Sequence, residues 1–319
     1  MKKYVLTVTL NPALDKMLTV NHLAIGKDSD MHEEFLSAGG KGLNVARVLK
    51  NLGVHTLATG FLGGKTGEII EELLDEEGIK NDFIKIQGET RVNVMVHEPD
   101  LKNATRLLGE GPQVNSVQVQ SFKKKYAKLL KQSSMVVLSG RNAHGAPVNL
   151  YAELIRLAHE KNIPVIVDTS GEPLQKAVEA KPLMMKPNLR EIEEIFYQKL
   201  NTKIKMKKAV DSLLEKGVGI VLLSLAEKGG MIANKKERWM AKPPVTKVLN
   251  DVGCGDSMVA GFVYAFIKEW TLKECLRYAV AAGTANVTKM RPGAINPRDV
   301  KQILKFVKIQ KQNRDSLIK

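Results

Sequence analysis

Cysteine is scarce in this 319-residue chain, which has only Cys254 and Cys275. Two thiols build neither a disulfide framework nor a metal cluster by themselves, and this usage fits a reducing compartment, so a cytoplasmic location is expected. The six histidines, His22, His32, His55, His97, His144 and His159, show no ligand spacing, and no protein-bound zinc is expected. Aromatic residues make up 5% of the chain, too few to interleave with basic residues as single-strand nucleic-acid surfaces require. No apolar run approaches the roughly 18 residues of a membrane span. The opening stretch Met1–Leu10 has a basic start and a short apolar run. Threonines interrupt that run, Asn11-Pro12 closes it and no small-residue cleavage site follows, so a first strand is expected rather than a signal peptide. Internal repeats, low-complexity segments and long Gly/Ser linkers are missing as well.

Acidic residues are outnumbered, 34 against 49 basic, for a net charge of +15. The excess lies in Lys123–Lys125, in Lys199 to Lys208 and in the tail from Lys301 to Lys319, where lysines alternate with apolar positions as on solvated helix faces. A positive field that gathers anionic substrates accounts for the charge as well as nucleic acid does. Nucleic-acid binding, on charge alone, is the remote alternative.

What the chain does have is alternation. Strands are predicted at Tyr4–Leu10, Val54–Thr59, Met135–Ser139, Pro164–Asp168, Leu183–Lys186 and Gly219–Ser224. Helices are predicted at Gly42–Leu52, Gly67–Glu77, Val117–Lys131, Val148–Lys161 and Met206–Lys216, and the stretch from Gly255 to Phe306 reads almost wholly helical. Such alternation predicts a mostly parallel central sheet with helices on both faces. Residues 12–36 and 82–108 hold strand-like pieces (Met17–Val20, Arg91–Val96, Thr105–Leu107) without a long intervening helix. They are expected to be inserted strands of a small β-sheet lid on one α/β domain spanning 1–319.

Two glycine-rich turns open helices. Asn250-Asp-Val-Gly-Cys-Gly-Asp-Ser-Met-Val-Ala-Gly261 offers unpaired backbone amides and a helix dipole to an anion, with the Asp256 carboxylate beside them. An anion hole next to a base is what phosphoryl transfer onto a hydroxyl needs. An ordinary Gly-rich loop with an N-terminal helix carboxylate fits this segment equally well. Ser37-Ala-Gly-Gly-Lys-Gly-Leu-Asn44 presents amides, the Lys41 ammonium and the Asn44 amide; alone, it reads as a glycine turn with an exposed lysine. Gly60-Phe-Leu-Gly-Gly-Lys-Thr66 imitates a phosphate-binding P-loop, but that motif needs a glycine where Thr59 stands, so a turn before a helix is expected. In Lys186-Pro-Asn-Leu-Arg-Glu191, Asn188 and Glu191 have capping-box spacing; Glu191 is equally suited to hold a hydrated Mg2+.

Together these segments resemble the PfkB (ribokinase-like) carbohydrate kinases. Gly253-Cys-Gly-Asp-Ser257 looks like the family's second signature and Ala38–Ala46 like its first. Thr9–Asp15, Gly88–Arg91, Val167–Gly171, Lys186–Asn188 and Glu191 follow in the family's order across nearly the whole chain. Thr9-Leu-Asn-Pro12 and Gly88-Glu-Thr-Arg-Val-Asn93 are similar to the branch that acts on hexose phosphates. The resemblance implies a ribokinase-like fold and a Mg2+- and ATP-dependent kinase of a ketohexose phosphate. Fructose 1-phosphate giving fructose 1,6-bisphosphate is the expected reaction, with tagatose 6-phosphate or fructose 6-phosphate as alternatives.

By the same resemblance, Asp256 is the catalytic base, and the amides of Gly253, Cys254 and Gly255 form the anion hole. Asp15, Gly40 and Asn44 meet sugar hydroxyls, while Lys27, Lys41 and Arg91 hold the phosphate already on the sugar. Lys186, Asn188, Ser224, Ala226 and Gly229 serve the nucleotide, and Glu191 the Mg2+, through water. A homodimer through the lid is also implied. The chain departs from the family at Ser139-Gly-Arg-Asn-Ala-His144, where relatives commonly have Ser-Gly-Ser-Leu-Pro, at Ala226 for a usual glycine, at Cys254 for alanine and at Asp251 for threonine.

Overall fold

The computed structural model describes residues 3–100 and 103–312. Residues 313–319 of the basic tail, 101–102 of the second expected lid segment and the first two residues lie outside the described residues. In chain order the elements are β1 (Tyr4–Thr9), β2 (Ala13–Val20), β3 (Met31–Gly39), α1 (Lys41–Asn51), β4 (Thr56–Gly63), α2 (Gly64–Glu76), β5 (Ile84–Ile86), β6 (Arg91–Glu98), β7 (Asn103–Leu108) and α3 (Ser116–Leu129). Next come β8 (Ser133–Ser139), α4 (Leu150–His159), β9 (Val165–Asp168), α5 (Gly171–Glu179), β10 (Met184–Met185), α6 (Leu189–Phe196), α7 (Lys203–Glu215) and β11 (Ile220–Ser224). The chain continues through β12 (Gly230–Ala233), β13 (Arg238–Lys242), α8 (Cys254–Phe266), α9 (Leu272–Asn286), α10 (Pro297–Leu304) and β14 (Lys308–Lys311).

Ten strands form one sheet in the order β14-β13-β12-β11-β10-β9-β8-β1-β4-β5. From β11 to β5 neighbouring strands run parallel, and β12, β13 and β14 add antiparallel pairs at one end. The inner strands are buried on both faces, which is why they read as continuous β-branched runs. In β8 the side chains of Val136 and Leu138 enter one core and those of Met135 and Val137 the other; in β11 Val221 and Leu223 oppose Ile220 and Leu222 in the same way. The first core also holds residues of α3, α4 and α7, such as Phe122, Ile155 and Leu213; the second holds those of α1, α8 and α9, such as Val48, Phe262 and Leu276. The period-2 alternation thus fixes which helices cover which face.

A separate small sheet has the order β3-β2-β6-β7, with β2 and β6 parallel and the outer pairs antiparallel. Two boundaries differ from the sequence reading. The first inserted segment runs on to Gly39 as β3, and Ile84–Ile86 joins the large sheet beside β4 rather than the lid. In the second case the apolar pair Ile84 and Ile86 packs against the main core, a long-range contact that local pattern does not carry. The C-terminal ends of the parallel strands, where ligands bind in open α/β sheets, deliver Asn11, Ser139, Asp168, Lys186 and Ser224 to one edge.

Candidate active site

Gly253 caps α8 in a left-handed conformation, φ 80°, which suits a residue without Cβ; a Cβ there would also lie 2.9 Å from Pro292. Among the described residues the amides of Gly253, Cys254 and Gly255 make no well-formed bond to a carbonyl, which leaves them available to an anion at the helix N-terminus. Asp256, in the first turn, is 5% exposed, and its Oδ2 accepts from Asn44 Nδ2 at 2.8 Å. Burial pushes its carboxyl up to about 6 despite the opposing Lys41 ammonium. A carboxyl near 6 accepts a proton well and is still ionised at neutral pH. Cys254 is pushed up to about 11 by burial, so it stays a thiol and is no nucleophile.

Asp168, at the end of β9, is the residue that sequence reasoning left without a role. Its Oδ1 binds Lys41 Nζ at 3.0 Å and Lys186 Nζ at 3.4 Å. Burial opposes its charge, but those two ammoniums hold the carboxyl below its ordinary range. Burial also opposes the Lys41 charge, and Asp168, Asp256 and Glu191 more than restore it. Lys186 lies close to the anion turn, since a Cβ on Gly255 would be 3.2 Å from its Nζ. Asp168 Oδ2, Thr169 Oγ1 and Ser139 Oγ are buried without a hydrogen-bond partner, an unusual concentration of orphaned acceptors and donors at one strand edge. A polar ligand is what such atoms fit.

Asn188 and Glu191 form the capping box at the start of α6, with Asn188 N to Glu191 Oε2 at 2.8 Å and Glu191 N to Asn188 Oδ1 at 2.9 Å. Burial and the nearby Asp168 raise the Glu191 carboxyl. Among the described residues no group of three acidic, histidine or cysteine side chains surrounds a metal position. One Glu191 oxygen is engaged by the Asn188 amide, which leaves the other carboxylate oxygen without a hydrogen-bond donor among the described residues. Asn188 bridges to Ser224, whose amide donates to Pro187 O at 3.0 Å. Ala226 follows with φ 50°, so the backbone here takes the left-handed form that explains why glycine is usual at this position, and Gly229 closes the turn at φ 91°.

On the small sheet, Asp15 of β2 packs against the backbone of Gly39, where any Cβ would strike its carboxylate. Asn93 Nδ2 donates to Asp15 Oδ1 at 2.8 Å, and burial raises the Asp15 carboxyl. Gly40 follows Gly39 and caps α1. Arg91 donates to the carbonyls of Asn11 (2.9 Å), Gly109 (3.1 Å) and Pro12 (3.2 Å), leaving one N–H on each terminal nitrogen. Burial lowers its pKa, Asp15 opposes this, and Arg141 of the unusual 139–144 loop adds a smaller push down. Lys27 lies in an exposed turn between β2 and β3, and no described contact brings it to the other site residues.

Two other sequence features resolve here. The P-loop imitation ends β4 and opens α2, but the Glu89 carboxylate accepts from the amides of Lys65 and Thr66 at 3.1 and 3.0 Å. Lys65 pairs with Glu68, so that helix start is already filled by the chain's own carboxylate. Asp251 is exposed and pairs with Arg106 of β7, which neutralises it beside the anion turn.

A parallel sheet with a helix N-terminus, a buried carboxylate and lysines gathered at the carboxyl ends of its strands suits an enzyme that moves a phosphoryl group onto a hydroxyl. The chain belongs to the pfkB family carbohydrate kinases, whose profile it matches over residues 10–299. It is 34% identical over 309 residues to the tagatose-6-phosphate kinase of Staphylococcus epidermidis, covering 96% of this chain and 99% of that one. It is 34% identical over 303 residues to the 1-phosphofructokinase of Bacillus subtilis, covering 95% and 98%. The structure of phosphofructokinase-2 from Escherichia coli in complex with potassium superposes with a TM-score of 0.90 at 27% identity, over 95% of this chain and 99% of that one. A tetrameric inhibited form of the same enzyme gives 0.88. The ribokinase-like fold expected from sequence is the one observed, and the protein is a sugar-phosphate kinase.

Proposed function

We propose that the chain transfers the γ-phosphoryl group of ATP, with Mg2+, to the free terminal hydroxyl of fructose 1-phosphate, giving fructose 1,6-bisphosphate. One observation carries the reading: the Gly39–Asn44 segment joins both halves, since Asn44 bonds the buried Asp256 carboxylate, which Lys41 and Lys186 attract, while Asp15 packs on Gly39 with the Arg91 charge acting on it. Two phosphorylated ligands need cations at both ends and one carboxylate between them.

In this reading Asp15, with the backbone of Gly39 and Gly40, orients the sugar hydroxyls, and the free N–H groups of Arg91 take its phosphate. For Lys27, on the exposed turn, only the family resemblance supports a contact with that phosphate. Asp256 removes the proton from the attacking hydroxyl. The amides of Gly253, Cys254 and Gly255 meet the charge that grows on the transferring group, and Lys186 neutralises the nucleotide phosphates. Lys41, expected at the sugar phosphate, pairs with Asp168 and feels the charges of Asp256 and Glu191, which supports a place beside the transferring phosphoryl group instead. Asn188, Ser224, Ala226 and Gly229 shape the nucleotide bed. Glu191 would hold Mg2+ through water, and the ion would supply positive charge to the nucleotide phosphates.

Tagatose 6-phosphate is the second reading, supported by equal identity to a relative of that name. Both substrates are monophosphorylated ketohexoses with a hydroxyl at the far end. ADP release against a panel of ketohexose monophosphates and their unphosphorylated parents separates these readings. Turnover confined to phosphorylated sugars, fastest with fructose 1-phosphate, is expected; equal turnover of free sugars would remove the Arg91 phosphate site. Salt-steep binding to DNA without ADP release would favour the basic binding protein instead.

The small sheet exposes Met31, Phe35, Val92, Leu107 and Leu108 and has two open edges, β3 and β7. Pairing of two such sheets into a homodimer buries that surface. Light scattering of Leu107→Lys should show monomers where the parent gives dimers; an unchanged mass would place the interface elsewhere.

A further inference from the structure

Arg47 is a buried cation with no part in the transfer steps above. It lies on α1 one turn after Asn44 and is 2% exposed. Its Nε and Nη2 donate to the two oxygens of Glu77 at 2.6 and 3.0 Å. Nη2 also donates to Ala38 O at 2.7 Å, and Nη1 to Pro292 O at 3.3 Å and to Asn44 Oδ1 at 2.8 Å. Every N–H of the guanidinium is therefore used. Glu77, just past the end of α2, is held from a second side by Arg291, whose guanidinium lies 5.4 Å over the ring of Phe35 on β3.

The far end of Asn44 is the part that matters for chemistry. Its Nδ2 donates to Asp256 Oδ2 at 2.8 Å. The two ends of an amide differ little in shape, so something must decide which end faces the base. A guanidinium only donates and an ionised carboxylate only accepts, so Arg47 claims Oδ1 and leaves the NH2 to Asp256. Turned the other way, Asn44 would set an oxygen against a carboxylate inside a buried site.

We infer that Arg47 is a positioning residue for Asp256: clamped by Glu77, it locks the Asn44 amide so that its NH2 faces the base. The inference rests on Asp256 as the base. The charged and titratable groups around Asp256 are Lys41 and Lys186, which favour its ionised form, Asp168, which opposes it, and the neutral thiol of Cys254 on the same helix. None of them holds the amide. The Asn44 donor favours the carboxylate, so loosening Asn44 moves the Asp256 pKa upward from about 6.

The test compares pH profiles of kcat/KM and thermal unfolding for the parent, Arg47→Lys and Glu77→Gln. Lysine keeps the charge but has no fork to hold Glu77, Ala38 and Asn44 together. Glutamine keeps the volume at a helix end and removes the charge that clamps Arg47. The acidic limb should move up by about half a pH unit or more in both variants, while the KM for ATP stays within about twofold. A limb fixed at the parent pH in the folded variants overturns the inference, whatever their loss of Tm. Should Arg47→Lys not fold, Glu77→Gln decides alone. An inactive Asp256→Asn beside unmoved limbs sinks only the relay; an active Asp256→Asn sinks the base, and the relay with it.

Discussion

Replacing Asp256 with asparagine should make the unliganded protein more stable as it destroys activity. The folded carboxyl titrates at about 6, against an ordinary value of 3.8. Because the folded value is raised, burial favours the protonated acid. Its favourable contribution is complete below about 3.8 and is lost as pH rises through about 6. Two pKa units correspond to about 3 kcal/mol, which above pH 7 is an upper bound on the cost of holding the buried charge. Asparagine mimics the protonated acid in shape and in its bond from Asn44, but it gives up the attraction of Lys41 and Lys186. A net gain of about 1–3 kcal/mol at pH 8 is therefore expected, shrinking toward zero by about pH 4. Urea denaturation at a series of pH values measures this, with a common slope for both proteins. A variant no more stable than the parent at pH 8, or a difference independent of pH, would refute a buried carboxylate whose partners only partly offset its burial.

Arg91→Ala should raise the KM for the sugar phosphate about tenfold or more and leave that for ATP within about twofold, since one charge-assisted contact is lost at one ligand. Equal effects on both substrates in steady-state assays would place Arg91 elsewhere. Ala226→Gly relieves a left-handed alanine at φ 50° and should stabilise the protein by up to about 1 kcal/mol, read as a higher urea midpoint. A lower midpoint would mean that glycine's greater freedom in the unfolded chain outweighs the strain.

The parallel strands were legible because they are apolar on both faces: β1, β8, β9 and β11 fall within a few residues of their predicted ranges. Local pattern failed where elements are too short to show a period, as with the β12–β13 hairpin, whereas β10, only Met184–Met185, falls inside its predicted range Leu183–Lys186. It also failed for α5, which begins in the Asp168–Gly171 motif itself and holds Pro173 near its start. Glycine-rich turns and the Asn188–Glu191 spacing pointed to the site directly, since helix starts have local chemistry. The role of Asp168 was hidden because its partners come from distant segments: Lys41 stands 127 residues away in sequence. The clamp of Glu77 on Arg47 spans 30 residues and joins two helices that share no motif. Such pairs are made by the fold, and a one-dimensional pattern carries no trace of them.

The most direct measurement is ADP release by the parent and by Asp256→Asn with fructose 1-phosphate and MgATP at pH 8, alongside ATP binding to both. With Asp256 as the base, turnover should fall by about a thousandfold or more while ATP affinity changes little. Turnover in the variant within about tenfold of the parent would contradict the central role given to that carboxylate.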